Sequence, residues 1–335
     1  ATRIDANISV GVQLIPQLPT MMDATQYRAY AAEMLGTIKD NTDLVGSRKI
    51  NYNFLNDDPN GYYYHTYHNN TDWSKEVYRN ALTQNYGINV QGGDEVGMYN
   101  LSVGYMKSES TAKGNDFDRL NIRFNTDINI VKGLDTKFDI SFSRANTNVF
   151  DDGVSADLST GAITSPTFLG LIKSPLVSPY QYNAVTGSFT TLLNGADDIF
   201  GQLGTEYSLA NPTAILANAS GDNKNRAENT FFNIRLAPTV QLGKGFRLTE
   251  DLSYTLNRIA QRYHRPYNGV PSFYVDGMGT VTSMAASLFS KETNFVSDTR
   301  LTWEHNYGAH NLAAFGGFRY NYFNFDGSDL STQYD

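Results

Sequence analysis

Few side chains in this chain are spaced for catalysis or metal binding. His65 and His68, in the run YHTYH, would on a helix place two imidazoles where both could ligate one metal ion. They lie in a stretch rich in Tyr, Asn and Gly without Glu or Cys nearby, which favours a surface loop. The runs Asp57-Asp58 and Asp151-Asp152-Gly153 resemble pieces of a calcium loop, but neither completes its ligand spacing. With no phosphate loop or nucleophile elbow either, the sequence predicts no enzyme, no metal site and no cofactor.

Aromatic side chains concentrate in the same stretch. The run NGYYYHTY brings Tyr62, Tyr63, Tyr64 and Tyr67 together. Flat rings in a polar neighbourhood suit sugars, or peptides with aromatic side chains, so we interpret these tyrosines as a candidate substrate-binding group. The alternative is that the rings pack on the rest of the loop or on a partner, and the sequence leaves both interpretations open.

The elements that must position these residues are strands. Between Asp116 and Ile130 the chain reads DFDRLNIRFNTDINI, with apolar residues on one parity and polar residues, including Arg119 and Arg123, on the other. A period of two indicates a β-strand with one apolar and one polar face. Strands usually run about 5–6 residues in soluble domains, whereas a tilted strand that crosses a bilayer needs roughly 9–11. The length of this pattern therefore favours a strand of a membrane barrel.

The same alternation recurs along the chain. Further apolar series begin at Ile4, Tyr86, Tyr99, Phe138, Phe232, Phe246, Leu301 and Leu312. Together these series predict about nine strands, each hydrophobic on one face only. Glu250 is in frame with the apolar Leu248 and Leu252, and we interpret it as an interfacial residue or as part of a bulge.

The connections between the strands alternate strictly in length. Short turns are expected near Asp94, Gly133, Gly245 and Gly308, and long connections at 14–82, 151–225 and 266–290, with a shorter one at 108–115. Transmembrane barrels have short periplasmic turns at one rim and long extracellular loops at the other. The sequence therefore predicts an all-β fold, an antiparallel transmembrane β-barrel segment, with residues 1–335 forming part of a single outer-membrane barrel domain.

Composition limits the possible partners and adds two helices. A net charge of −8 argues against nucleic-acid binding, because a chain without a basic surface cannot neutralise phosphates. No stretch approaches the roughly 18 apolar residues of a membrane helix. Helices are predicted from Asp23 (DATQYRAYAAEML) and from Thr71 (TDWSKEVYRNAL), with Asp23 and Thr71 or Asp72 as N-caps. Both lie in the first long connection, where we expect them to pack the loop.

A collinear set of motifs resembles the SusC/RagA family of TonB-dependent outer-membrane transporters. The matching residues are Thr71-Asp72-Trp73, Gln84-Asn85-Tyr86, Gly92-Gly93, Gly104-Tyr105, Gly114, Asp116-Phe117 with Arg119, Asn211-Pro212 and the closing run LTWEHNYGAHNLAAFGGFRY. They cover nearly the whole chain in the order of the family. The resemblance implies an importer in the outer-membrane lipid that takes up oligosaccharides or oligopeptides, works with a SusD-like surface lipoprotein and draws energy from TonB.

The resemblance also implies parts that this sequence does not contain. The family carries an N-terminal plug with a TonB-contacting segment, and its barrel belongs with the roughly 22-stranded plugged transporters. We therefore expect the chain to be an internal piece of a longer polypeptide. On the polar face, Arg119, Arg123, Arg235 and Arg319 either line the substrate path or anchor the plug through carboxylate pairs. A passive porin or structural barrel, and a soluble β-rich carbohydrate-binding module, are the alternative functions.

Overall fold

Nine long strands form one antiparallel sheet. The computed structural model describes residues 1–38, 52–150, 162–195, 199, 208–219, 224–270, 273–275, 279–281 and 283–334. Its strands are β1 (Arg3–Gln13), β2 (Ala81–Gly93), β3 (Gly97–Ser108), β4 (Phe117–Val131), β5 (Leu134–Asn148), β6 (Ala162–Ile163), β7 (Tyr180–Asn183), β8 (Ser188–Leu193), β9 (Ser208–Leu209), β10 (Arg226–Gly243), β11 (Phe246–Arg265), β12 (Phe273–Val275), β13 (Gly279–Val281), β14 (Ser283–Tyr307) and β15 (His310–Tyr334). The sheet order is β1-β2-β3-β4-β5-β10-β11-β14-β15, which confirms the expected barrel-wall topology.

The register keeps the two faces separate across the whole sheet. One row of directly paired residues runs from Arg3 through Gln91, Asn100 and Asn125 to Asp139, and every member is polar. Successive side chains of a strand point to opposite faces, so the residues between these fall on the other face. There Leu101, Phe124, Ile140 and Ile234 form an apolar row in the same way. The sheet therefore has one apolar and one polar face, as the alternation predicts.

The short turns occur where they were expected. Asp94 Oδ1 accepts hydrogen bonds from the backbone N–H groups of Val96 at 2.9 Å and Gly97 at 3.1 Å, which closes the β2–β3 turn. At the β10–β11 turn Gly245 has a φ of +85°, and a Cβ there would lie 2.0 Å from the carbonyl oxygen of Glu304. Only glycine fits that position. We call the end of the sheet that carries these turns the turn end, and the opposite end the loop end.

The bounds of one helix and of one long connection differ from those that the sequence predicts. Helices span Ala24–Ile38, Tyr64–Tyr67, Trp73–Val77, Pro166–Ile172 and Pro212–Ala219, with a 3₁₀ turn at Asn53–Leu55. The predicted helix from Thr71 is shorter than its pattern because β2 begins at Ala81 and takes Leu82 into the sheet. The third long connection ends at 282 rather than 290, since β14 begins at Ser283. None of the described helices is long and apolar enough to cross a membrane.

Glu250 does not lie in a bulge, so that alternative was wrong, whereas its position at the membrane interface stays a prediction. The β11–β14 pairing runs without a register shift through Glu250, which lies directly opposite Thr299. Its carboxylate accepts hydrogen bonds from the hydroxyls of Ser297 at 2.6 Å and of Thr299. The apolar face thus keeps a carboxylate because the neighbouring strand supplies two donors for it.

The facing of the strands generates a first prediction. In a transmembrane barrel, Arg on the lipid side near the midplane costs roughly 2–4 kcal/mol, whereas the interior tolerates charge. Ile122 is on the apolar face of β4, and Asn125 is on the polar face directly opposite Asp139. We expect Ile122→Arg to impair assembly of the full-length protein and Asn125→Arg to leave it intact. Heat-modifiable gel mobility in membrane fractions measures this, and equal behaviour of the two variants would contradict the assigned faces.

Candidate functional site

The described parts of the long connections pack together at the loop end around Trp73, and we call this packed region the loop body. The Trp73 ring is 3% exposed, and Nε1 donates a hydrogen bond to the carbonyl oxygen of Ser174 at 2.8 Å. Lys173 is also buried; its Nζ lies 5.2 Å from the Trp73 ring centroid and 3.2 Å from the Leu209 carbonyl oxygen. A tryptophan from the first connection thus meets residues of the second. The core around it contains Phe54, Tyr67, Trp73, Leu176, Val177 and Ile199.

The residues of the TDW motif have separate structural roles. Asp72 caps the Trp73–Val77 helix, because its side chain accepts from the backbone N–H of Lys75. Thr71 donates its backbone N–H to the carbonyl oxygen of Pro175 at 2.9 Å. The motif therefore fixes the first connection to the second by a cap, a buried ring and two backbone contacts.

Two buried asparagines hold the rest of the loop body. Asn211 caps the Pro212–Ala219 helix through Oδ1, while its Nδ2 donates to the carbonyl oxygens of Pro179 and Asn194, both at 2.9 Å. Asn225 donates to the carbonyl oxygens of Ala219 at 2.6 Å and His264 at 2.7 Å. Because a buried amide without partners is costly, three of these bonds hold distant parts of the second connection together and the fourth ties it to β11.

The four candidate tyrosines differ sharply in exposure. Tyr62 is 91% and Tyr63 43% exposed, and their rings meet edge to face with centroids 4.9 Å apart. Tyr67 is 3% exposed and packs against Phe54 in the core. Tyr64 is half-buried and stacks on His68 at 4.0 Å. Tyr62 and Tyr63 are therefore accessible to a ligand, whereas Tyr67 takes the packing role.

The aromatic group extends onto a second connection, which sequence reasoning missed. His65 stacks on Tyr182 of β7 with centroids 3.9 Å apart, and Tyr182 meets Phe189 of β8 at 5.6 Å. Phe189 is 46% exposed. The β7–β8 hairpin thus continues the surface of the tyrosine loop. The sequence signal was a short alternation around an Asn-Ala-Val-Thr-Gly turn, inside a stretch that otherwise reads as loop.

His65 and His68 point to different partners. His65 stacks on Tyr182, whereas His68 Nδ1 accepts from Arg28 Nη2 at 2.8 Å and Nε2 lies 3.2 Å from Asp57 Oδ1. Among the described residues no three His, Cys, Asp or Glu side chains are grouped for a metal ion. The Asp151-Asp152-Gly153 run lies outside the described part of the chain.

The environment of His68 favours the neutral imidazole. Burial lowers the pKa of His68 from its ordinary value, and the Arg28 guanidinium lowers it further, while the Asp57 carboxylate opposes both. An imidazole whose Nδ1 accepts from a guanidinium has no room for a proton on that atom. His68 is therefore a link between the Ala24–Ile38 helix and the tyrosine loop that acid should weaken.

On the polar face of the sheet, two of the four predicted arginines are neutralised within the wall. Arg235 Nε donates to Asp251 Oδ1 at 2.8 Å and Nη1 to Asp139 Oδ2 at 3.3 Å. Arg319 Nε donates to Asp298 Oδ2 at 2.7 Å. These two arginines thus have carboxylate partners on neighbouring strands of the same sheet, while contact with a plug or a substrate stays a prediction.

The other two arginines differ. Arg119 and Arg123 are exposed on the polar face of β4 and make no hydrogen bond or ion pair with any residue that the structure describes. Nearer the turn end, Arg3, Gln91, Asn125, Asp139 and Arg235 line a cavity of about 830 Å³. On the polar face, the arginines with carboxylate partners are therefore Arg235 and Arg319, whereas Arg119 and Arg123 lack such partners among the described residues. Sequence alternation placed all four arginines on this face but did not distinguish them.

Comparison with known proteins agrees with this geometry. No family model matches the chain. Two proteins of Formosa agariphila (strain DSM 15362 / KCTC 12365 / LMG 23005 / KMM 3901 / M-2Alg 35-1) are similar to it. TonB-dependent receptor P3 is 25% identical over 251 residues, which are 75% of this chain and 22% of the receptor. TonB-dependent receptor P26 is 25% identical over 250 residues, 72% of this chain and 23% of the receptor. The chain thus spans less than a quarter of the length of these relatives.

Solved structures show the same fold. The RagAB peptide transporter aligns with a TM-score of 0.62 and 18% identity, covering 99% of this chain and 36% of that chain. The RagAB peptide importer in the "open-open" state aligns with a TM-score of 0.65 and 17% identity over the same shares. The fold is therefore that of a segment of the β-sheet wall in these structures. In sequence the chain is similar to two TonB-dependent receptors, which agrees with the resemblance to TonB-dependent transporters.

The loop body generates a second prediction, which concerns pH. Because the folded-state pKa of His68 lies below its unfolded value of about 6.5, the unfolded loop binds more protons in that range. The contribution of His68 to stability is present above about pH 6.5 and is lost as the pH falls through the folded pKa. We expect amide exchange in the Asn53–Tyr67 region of the full-length protein to report a smaller opening free energy at pH 5 than at pH 7.

The His68→Asn variant is the matched control. Its Oδ1 can accept from Arg28 without titrating, so the pH dependence should flatten. The β4 strand provides an internal reference within the same protein. An unchanged slope in the variant would assign the effect to another group.

Proposed function

We propose that this chain is the barrel portion of a TonB-dependent outer-membrane importer that takes up oligosaccharides or oligopeptides with a SusD-like surface lipoprotein. The observation that carries the proposal is the alignment of 99% of the chain with 36% of the chain of the RagAB peptide transporter. The sequence similarity to two TonB-dependent receptors supports the same class. The protein translocates its substrate and performs no covalent step. Residues 1–335 belong to a single barrel domain, with the loop end outside the cell and the turn end in the periplasm.

The loop body is the part of this chain that meets substrate and partner. In it Trp73 joins the first connection to the second, and the backbone N–H of Asn211 donates to the carbonyl oxygen of Gly269 in the third at 2.8 Å. Tyr62 and Tyr63 present exposed rings at the outer rim, and such rings suit sugar faces and aromatic peptide side chains alike. The rim therefore offers a contact surface, and the cationic Arg119 and Arg123 lie below it on the route through the barrel.

Energy dependence separates an importer from a passive porin. We expect cells that express the full-length protein to take up labelled oligosaccharide or oligopeptide, and to lose that uptake when TonB is deleted. A porin would keep its flux without TonB. Uptake of a small solute through an unrelated porin in the same strain controls for membrane integrity, and persistence of oligomer uptake in the TonB deletion would refute the proposal.

The exposed tyrosines generate a prediction about substrate contact. Each ring stacked on substrate should contribute about 1 kcal/mol or less beyond its area burial, and 1.4 kcal/mol is a tenfold change in affinity. Two rings together contribute up to about 2 kcal/mol, so we expect Tyr62→Ala with Tyr63→Ala to raise the half-saturating concentration for uptake by up to about thirtyfold. The Tyr64–His68 stack and the buried Tyr67 remain in this variant.

The matched control for that variant is Tyr267→Ala. Tyr267 is 69% exposed and lies in the third long connection, apart from the tyrosine loop. Assembly, measured by heat modifiability, and co-purification of the surface lipoprotein should be intact in both variants. Unchanged uptake in the double variant would leave Tyr62 and Tyr63 without a substrate role, and loss of the lipoprotein would make them part of its interface.

A further inference from the structure

The apolar face of the sheet ends abruptly in cations at its loop end. On this face Phe142, Phe232 and Leu256 occupy one continuous row of paired residues. The next row toward the loop end contains Arg144, Thr230, Arg258, Lys291 and Asp326. The chain as a whole carries a net charge of −8, so a basic group on the face that meets lipid is contrary to its overall balance.

Two pairs of like charges stand directly opposite each other on neighbouring strands. Arg258 of β11 is paired with Lys291 of β14, and Arg226 of β10 is paired with Arg262 of β11. Directly opposed like charges destabilise an antiparallel pair. Glu228 contacts Arg226 at 3.1 Å, and its row, in which it is paired with Ala260, lies between the two cationic pairs. The Arg258–Lys291 pair is therefore the one whose repulsion an added anion would offset.

Among the residues that the structure describes, no carboxylate forms an ion pair with Arg258 or Lys291. Glu228 lies 3.4 Å from Arg144 and 3.1 Å from Arg226, so it serves the β5–β10 side of the cluster. Asp326 is opposite Lys291, but within the described residues the two form no ion pair, and Asp326 accepts instead from Asn324 Nδ2 at 2.9 Å. The Arg258 guanidinium lies 5.0 Å from the centroid of the Phe289 ring. In the part of the chain that the structure describes, this guanidinium donates to no hydrogen-bond acceptor.

The position of Arg258 and Lys291 along the barrel axis indicates which kind of ligand they can bind. With a rise of ~3.3 Å per residue and a tilt of ~40°, Leu248 and Leu256 are about 20 Å apart along the barrel axis. That distance approaches the apolar band of roughly 25 Å of a transmembrane barrel. Arg258 and Lys291 therefore lie just beyond the apolar band, at the level of the lipid headgroups. Arg pairs well with phosphate oxygens, whose geometry its planar fork matches.

We propose that Arg258 and Lys291 form a binding site on the outer wall of the barrel for a phosphate group of an outer-leaflet glycolipid. The inference rests on the proposed function only in placing the loop end at the outer surface of the membrane. The phosphate sits between the two cationic strands and removes their repulsion, while the acyl chains lie along Leu256 and Phe232. The lipid thereby stabilises the β11–β14 pairing, which carries the loop body above it.

The test uses the full-length protein purified in detergent and the double variant Arg258→Gln with Lys291→Gln. Arg247→Gln with Arg300→Gln is the matched control, since these two arginines are on the same strands but on the opposite face. Binding is measured with phosphorylated lipid A, with its dephosphorylated form and with inorganic phosphate. We expect wild type and control to retain phosphorylated lipid A, and the double variant to bind it at least about tenfold more weakly.

The thermal unfolding temperature in detergent provides a second measurement, independent of the binding assay. Without lipid, the double variant should unfold at the same or a higher temperature than wild type, because the like-charge pair is gone. Added phosphorylated lipid A should raise the unfolding temperature of wild type and not that of the variant. Equal binding of the dephosphorylated lipid, full competition by inorganic phosphate at equal concentration, or an equal loss in the control variant would each overturn the site. None of these readouts involves TonB or substrate, so a failure here is distinct from a failure of the transport proposal.

Discussion

The constraint on which the structure depends is the register of its strand ladder. Each strand pairs with the next, and a slip of one residue would carry every side chain to the opposite face. Ile122 would then enter the interior and Arg123 would face lipid. The tight turns prevent such a slip, because Asp94 closes one hairpin with two side-chain bonds and Gly245 leaves no room for a Cβ in another. Facing, charge placement and loop position all follow from this register.

The loop body solves a problem that the sheet creates. The long connections leave the sheet at its loop end. There they lack the strand pairing that provides hydrogen-bond partners for the backbone N–H and C=O groups in the sheet. Here a second, small core replaces it: Trp73 and Phe54 are buried, and Asn211 and Asn225 donate to backbone carbonyls of the second connection. Tyr62 and Tyr63 lie at the surface of this core, with their rings in solvent.

Charge is handled differently on the two faces. On the polar face Arg235 and Arg319 are paired with carboxylates of adjacent strands, so this part of the wall carries its own counter-ions. On the apolar face a carboxylate survives at Glu250 only because hydroxyls of β14 bond it. The opposed cations Arg258 and Lys291 are not balanced in this way. Their position at the edge of the apolar band makes the surrounding membrane the natural source of the missing anion.

The sequence by itself determined the strand count, the two faces and the alternation of short turns with long loops, because a period of two and glycine-bearing turns are local properties. It also placed the Ala24–Ile38 helix and put all four polar-face arginines on one side of the wall. The tertiary structure decided those features that depend on contacts between residues far apart in the chain. It buried Tyr67 and exposed Tyr62, joined the β7–β8 hairpin to the tyrosine loop through His65, and gave counter-ions to Arg235 but not to Arg123. Those outcomes depend on which strand lies beside which, and on residues far apart in the chain, so no local pattern could reveal them.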